Sequence, residues 1–188
     1  YCMDEVHSDD LVIAQELPVA EIPRADALIS CDTEIVLCVR TADCVPVLAW
    51  SEDAPMIAAV HAGWRGLAKG IVEKSIRRMQ ELGARDIKAA MGPAVGPCCY
   101  KVGRDVINEL KGEPRIDDAG SLFADLWNEA VLQLVQAGLF RSEITLYRIC
   151  TSCNEKRFFS YRRQAAQAGR NISVIGGSSW LLPGLQAG

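Results

Sequence analysis

The sequence predicts an α+β protein with mixed sheets, on three observations. Seven short runs are rich in β-branched and apolar residues, two longer runs repeat apolar residues at helical spacing, and the two kinds mix without strict alternation. A regular parallel α/β sheet would need that alternation.

The strand candidates are Leu11–Gln15, Glu34–Arg40, Val45–Trp50, Met56–His61, Asp86–Gly92, Ile144–Ile149 and Ile172–Gly176. Several are apolar throughout, which predicts strands covered on both faces. One helix is expected from Arg65 to Leu82, where Leu67, Ile71, Val72, Ile76, Met79 and Leu82 share one side and Gly83 is the stop. A second is expected from Leu122 to Ala137, with Ser121 as its N-cap and Gly138 as its end. A shorter helix is expected over Asp105 to Lys111. Residues 1–176 read as one domain, and 177–188 read as a loose tail outside it.

The chain has 188 residues, 49% hydrophobic and 23% charged, enough for a substantial core. Its formal net charge of −4 argues against bulk electrostatic binding to nucleic acid. It does not argue against a local arginine pocket for an anion. No apolar run is long enough for a membrane span, and Tyr1-Cys2-Met3-Asp4-Glu5 is not a secretory signal. Eight cysteines, some inside apolar strand-like runs, read as reduced thiols of a cytoplasmic protein.

The whole chain carries two histidines. His7 precedes the first strand candidate. His61 ends an apolar run and leads into Ala62-Gly63-Trp64-Arg65-Gly66, a strand-to-helix turn of the kind on which sites are built. Cys44 lies in Thr41-Ala42-Asp43-Cys44-Val45-Pro46, within reach of Arg40. Two imidazoles and a thiolate suit Zn²⁺, and three protein ligands leave a fourth position open, the catalytic arrangement. Spacing alone does not tie the three together. A competing metal set is Cys150-x-x-Cys153 with Cys98-Cys99, against which stands the difficulty of turning adjacent residues the same way in extended chain. A redox pair at Cys150 and Cys153 is a further reading.

The chain resembles the laccase-domain family, first called multicopper polyphenol oxidases and now described as purine nucleoside phosphorylases. The matching blocks are Val6-His7, Ala25-Asp26-Ala27, Thr41 to Leu48, Val60-His61-Ala62-Gly63-Trp64-Arg65-Gly66 and Gly92 to Tyr100. They continue at Cys150-Thr151, Phe158 to Arg163 and Gly169-Arg170, all in family order. The resemblance implies His7, Cys44 and His61 as metal ligands. It also implies a four-layer α/β/β/α sandwich related to the catalytic domain of cytotoxic necrotising factor. Two departures stand out: Glu5 and Ser8 replace the family's Gln and Gly around His7. A family N-terminal segment with a Gly-Gly-Val-Ser motif is also absent, so the chain is expected to be a fragment or a short variant.

The implied activity is phosphorolysis of adenosine, inosine or guanosine to free base and ribose 1-phosphate. Adenosine deamination and methylthioadenosine phosphorolysis come with it. The partners are a small-molecule nucleoside and phosphate, and the cofactor is Zn²⁺ with Cu²⁺ as the alternative. Cys44, His61 and Asp43 are the catalytic candidates, Asp43 as proton shuttle (with Glu5) or as the group that orients His61. Arg65, Arg162, Arg163 and Arg170 are the phosphate candidates, because guanidinium forks match phosphate oxygens. Trp64 reads as core before base-stacker, and Tyr161 stays open. A copper phenol oxidase, a Cys44–His61 hydrolase and a metal-binding scaffold without turnover are the other readings.

Overall fold

The computed structural model describes residues 1–14, 22–32 and 34–176. The tail expected at 177–188 lies outside these residues, as does the last position of the first strand candidate.

The centre is a six-stranded mixed sheet. Its strands are β1 (Leu11–Ile13), β2 (Ala27–Ser30), β4 (Val45–Ser51), β5 (Ile57–Ala62), β6 (Ile87–Met91) and β10 (Ile144–Leu146), in the order β1-β2-β5-β4-β6-β10. Pairs β1–β2 and β6–β10 are parallel and the inner pairs are antiparallel. A two-stranded antiparallel sheet joins β3 (Val36–Thr41) to β11 (Asn171–Gly176). A small three-stranded sheet joins β7 (Lys101–Val102), β9 (Leu122–Phe123) and β8 (Arg115–Ile116). The class is α+β with several sheets, as the sequence predicts.

Both faces of the central sheet are covered, and the alternation of side chains divides two cores. Ala27, Ile29, Val47, Ala49, Ala58 and Val60 face helices α2 (Ile71–Glu81) and α4 (Leu126–Gln136). Leu28, Ile57 and Ala59, one residue out of step, meet Leu37 and Val39 of β3 on the other side. This explains the near-continuous apolar runs.

The first expected helix is broken. Residues Trp64–Ala68 form α1, Gly70 adopts φ 81°, and α2 restarts at Ile71. Gln133, buried on α4, sits across the break: its Nε2 donates to Leu67 O at 2.6 Å, and its Oε1 accepts from Val72 N at 3.1 Å. One side chain thereby satisfies an end group of each short helix. The second helix starts four residues later than expected. Leu122 and Phe123 are claimed by the strand ladder of β9, and the cap is Asp125, which accepts from Asn128 N at 3.0 Å, in place of Ser121. Gly83 and Gly138 do end the two helices, at φ 112° and 104°. Ala84 N and Leu139 N each reach back five residues to a carbonyl, the closing turn that only a left-handed residue permits comfortably. The short helix α3 covers Arg104–Ile107 and stops before the expected Lys111, and a further one, α5 (Tyr161–Gln164), escaped the sequence pattern.

Candidate metal centre and cavity

His7, Cys44 and His61 converge at one end of the central sheet, and their ligand atoms lie within 4.8 Å of one another. His61 is on β5, Cys44 precedes β4, and the residues after it pair with β5, so the sheet register sets the two side by side. His7 comes from the loop before β1. Its φ is 60°, and the turn brings its Nε2 to 3.9 Å from Cys44 Sγ. The two imidazoles meet edge to face, with ring centroids 4.9 Å apart.

Asp26, immediately before β2, organises this cluster and had no assigned role in the sequence reading. It is fully buried and ionised. One oxygen accepts from His61 Nδ1 at 2.7 Å and from His7 N at 3.0 Å; the other accepts from Ser8 N at 2.6 Å and Ser8 Oγ at 2.9 Å. Burial alone would raise its pKa, but the hydrogen bonds from His61 and Ser8 outweigh it and hold the carboxyl at about 2. Because the carboxylate accepts the hydrogen bond of Nδ1–H, His61 turns its Nε2 towards the cluster. A carboxylate behind a histidine in this way fixes tautomer and ring direction for metal binding. Ser8, noted in the sequence as a departure, therefore contributes two donors to the same carboxylate.

Burial disfavours charge on both Cys44 and His61, yet their mutual attraction wins. The Cys44 thiol is held well below its usual range by His61 and then His7, and the His61 imidazole is held well above by Cys44 and then Asp26. The thiolate is the ligand form. The donor set fits a tetrahedral ion, for which sulfur and nitrogen ligands stand about 3.6 Å apart. Gly63 gives a second sign of fit. A Cβ there would meet Cys44 Sγ at 3.0 Å and His7 Cδ2 at 3.1 Å, so the backbone of the β5–α1 turn closes directly against the ligands.

The cluster opens into a cavity of about 870 Å³ lined also by Asp43, Trp64, Arg65, Tyr100, Arg162 and Arg170. Arg65 stacks its guanidinium over Trp64 at 4.4 Å, and Arg162 over Tyr100 at 5.0 Å. Neither forms an ion pair among the described residues. Trp64 packs against the core and supports Arg65, which agrees with its reading as a core residue. Tyr161 is exposed on the cavity wall. Arg170 donates to the Ala168 and Gly169 carbonyls while still facing the cavity. Arg40 and Glu5 both line the cavity and pair with each other at 2.9 Å.

Two sequence expectations are corrected. Arg163 is not on the cavity: it points inward and donates to the carbonyls of Thr151, Ser152 and Phe158 at 2.7–2.9 Å. Adjacent residues on α5 point about 100° apart, and of the two only Arg162 lines the cavity. Asp43 does not orient His61; Asp26 does. Asp43, at φ 93°, accepts from Thr151 Oγ1 at 2.6 Å and from Arg162 N at 2.5 Å. It braces the first turn of α5, which carries Arg162.

The second cysteine set is also assembled. The sulfurs of Cys98, Cys99, Cys150 and Cys153 all lie within 4.8 Å of one another, so two groups of the described residues have metal-type spacing. The expected obstacle, adjacent cysteines pointing apart, does not apply. Pro97 to Cys99 form a turn in which Cys99 N and Tyr100 N both reach Gly96 O at 2.9 Å.

The chain matches, over residues 1–178, the family described as multi-copper polyphenol oxidoreductase laccase. It is 34% identical over 195 residues to the purine nucleoside phosphorylase YlmD of Geobacillus stearothermophilus, covering 93% of this chain and 71% of that protein. It is 37% identical over 161 residues to a purine nucleoside phosphorylase of Bacteroides thetaiotaomicron, covering 80% of this chain and 60% of that one. The fold is similar to the crystal structure of Bacillus licheniformis hypothetical protein YfiH, with a TM-score of 0.85, 29% identity, and coverage of 94% and 73% of the two chains. The crystal structure of Geobacillus YlmD gives a TM-score of 0.84 at 34% identity, with 94% and 72% covered. A histidine–cysteine–histidine cluster at a sheet end, blocks of matching sequence along the whole described length, and the same fold in solved relatives place this chain in the laccase-domain family.

Proposed function

We propose that this chain is a purine nucleoside phosphorylase whose cavity joins a zinc-type centre to an arginine-bearing phosphate subsite. The observation that carries the reading is the cavity itself. The His7–Cys44–His61 cluster and two guanidinium groups, Arg65 and Arg162, line it together, each guanidinium over an aromatic ring and neither paired to an acid among the described residues. Relatives named purine nucleoside phosphorylases at 34–37% identity support the same reaction class.

His7, Cys44 and His61 would hold zinc, with copper the alternative. A zinc ion there would supply Lewis-acid polarisation. The rest is the work of the chain. Arg65 and Arg162 bind and orient phosphate so that an oxygen faces the anomeric carbon of the ribose. The carbon–oxygen bond forms as the glycosidic carbon–nitrogen bond breaks, and the departing base nitrogen takes up the proton that hydrogen phosphate gives up. Arg170 lies on the same wall as a third, partly engaged guanidinium. Tyr100 and Tyr161 wall the space for the base and sugar. Asp43 keeps Arg162 in place and Asp26 keeps His61 in one tautomer. Adenosine deamination and methylthioadenosine phosphorolysis extend the proposal to the same pocket, as does the four-layer sandwich to the fold. Multicopper oxidase chemistry is disfavoured by the donor inventory, since a chain with two histidines cannot supply the imidazoles of several copper centres.

One geometric feature favours a second reading. Cys44, His61 and Asp26 stand in the order of a cysteine hydrolase: nucleophile, base, orienting carboxylate. The discriminating experiment incubates the full chain with adenosine or inosine, with and without phosphate, and follows free base and ribose 1-phosphate by chromatography. Phosphate-dependent release, abolished by His61→Ala and with KM for phosphate raised about 10- to 100-fold by Arg162→Ala, is expected. Base release indifferent to phosphate overturns the phosphorylase reading. Activity that survives metal removal but not alkylation of Cys44 moves the assignment to the hydrolase.

A further inference from the structure

We propose that Cys98, Cys99, Cys150 and Cys153 form a tetrathiolate zinc site, separate from the His7–Cys44–His61 centre, that locks together two loops behind the cavity, one leading into Tyr100 and the other hydrogen-bonded to Asp43. A tetrahedral zinc with bonds of about 2.3 Å to sulfur sets its ligands about 3.8 Å apart. Here Cys153 Sγ lies 3.5 Å from Cys98 Sγ and 3.3 Å from Cys99 Sγ, and all four sulfurs fall within 4.8 Å. Four thiolates at this spacing select zinc or iron over harder ions.

The backbone is shaped for the cluster. An isolated parallel bridge between Ala94 and Cys150 prolongs the β6–β10 pairing, and Thr151 N donates to Ala94 O at 2.9 Å. That bridge brings together two cysteine pairs about fifty residues apart in sequence. Gly96 N donates to Cys150 Sγ at 3.2 Å, and the backbone N–H of Cys153 donates to the same sulfur. Such N–H donors stabilise thiolate ligands. A Cβ on Gly96 would meet Cys98 Sγ at 3.2 Å, so this position too is shaped around the sulfurs. Four thiolates around one divalent ion leave a net charge of −2. Two guanidinium groups sit on the ligand loops: Arg163 on the Thr151 and Ser152 carbonyls between two ligands, and Arg115 on Pro97 O beside a third. This gives Arg163 a purpose that its distance from the cavity denied it. Thr151, between Cys150 and Cys153, donates to the Asp43 carboxylate, and Val95 N, ahead of Cys98, donates to Asp43 O at 2.9 Å, so both cysteine loops are tied to the turn that carries Cys44.

The test measures zinc per chain in the Cys44→Ala/His61→Ala double variant, which removes the first centre and makes the outcome independent of the proposed reaction. One equivalent of zinc is expected to remain. In cobalt-substituted protein, intense sulfur-to-cobalt charge-transfer and tetrahedral ligand-field bands are expected. Adding Cys153→Ser is expected to weaken zinc binding by at least about 100-fold, whereas Cys153→His, which keeps a zinc ligand, retains it. Cys98→Ser provides the same test at an exposed position should Cys153→Ser fail to fold. A folded double variant with no bound zinc and four alkylatable thiols overturns the proposal. So does a Cys153 disulfide detected by mass, or iron in place of zinc.

Discussion

Replacing Asp26 with asparagine tests how the metal centre is held. The substitution keeps size and one carbonyl acceptor but removes the charge and turns an amide NH2 towards donors. The carboxylate is fully buried and accepts from His61 Nδ1, His7 N, Ser8 N and Ser8 Oγ. Its pKa falls from an ordinary 3.8 to about 2. At about 1.4 kcal/mol for each pH unit, that depression amounts to about 2–3 kcal/mol of stability at neutral pH. A depressed pKa gives stability that is complete above pH 3.8 and is lost as pH falls through 2. Leaving donors facing an amide nitrogen adds to the loss, so Asp26→Asn is expected to cost about 2–4 kcal/mol, or about 5–15 °C in Tm. With both histidines loosened, zinc affinity measured by chelator competition is expected to fall 10- to 100-fold. Asp43→Asn is the control. Asparagine tolerates the positive φ, and the Asp43 carboxylate touches neither histidine, so zinc affinity is expected to hold within a few-fold. Equal zinc affinity in Asp26→Asn and wild type, or a larger loss in Asp43→Asn, refutes the assignment of Asp26 as the organiser.

Three further outcomes are expected. Gly63→Ala places a methyl 3.0 Å from Cys44 Sγ at an unstrained φ of −78°; zinc affinity in the same chelator assay should drop about tenfold or more, and an unchanged value would show that the turn yields freely. Gln133→Leu leaves Val72 N unsatisfied in the core and removes one of the two donors to Leu67 O, the other being Gly70 N, and urea unfolding should show a loss of about 1–3 kcal/mol; a loss under about 0.5 kcal/mol would mean that the helix break does not depend on it. Asp53 accepts from Ser51 Oγ, Arg85 N and Asp86 N, which hold its carboxyl at about 2, so its contribution is present above pH 3.8 and is lost as pH falls through 2. The Tm gap between wild type and Asp53→Asn should therefore narrow as pH is lowered across that window, and a constant gap would contradict the origin assigned to the shift.

What the sequence made legible follows a physical rule: features set by a residue's own neighbours could be read, and features set by residues far along the chain could not. The two-faced apolar strands and the glycine stops at Gly83 and Gly138 are local, and they stand where expected. His7, Cys44 and His61 are rare residue types in distinctive blocks, and the structure brings them together. Asp26 is an ordinary acid in Ala25-Asp26-Ala27; its role arises from partners 18 and 35 residues away. The break at Gly70 is bridged by Gln133, 66 residues beyond Leu67, and a helical stripe continues across it undisturbed. The strand at Leu122–Phe123 exists because β7 and β8 flank it, whereas its local pattern reads as helix. Cys98 and Cys99 were misjudged because extended chain was assumed where a turn is found.

The two buried aspartates divide the site between them. His7, Asp43 and Ala165 are the positive-φ residues other than glycine among those described, and all three line the cavity. Such backbone costs of order 1–3 kcal/mol each and persists only where surrounding contacts over-determine it. Asp26 supplies those contacts for the His7 turn, through the amides of His7 and Ser8. Asp43 supplies its own, through Thr151 and the first turn of α5, three residues before Ala165. The first carboxylate therefore holds His7 and His61 of the histidine–cysteine cluster, and the second holds the backbone of Arg162 on the same cavity. Metal loading and anion binding should then be separable by mutation, which a site held by one shared network would not allow.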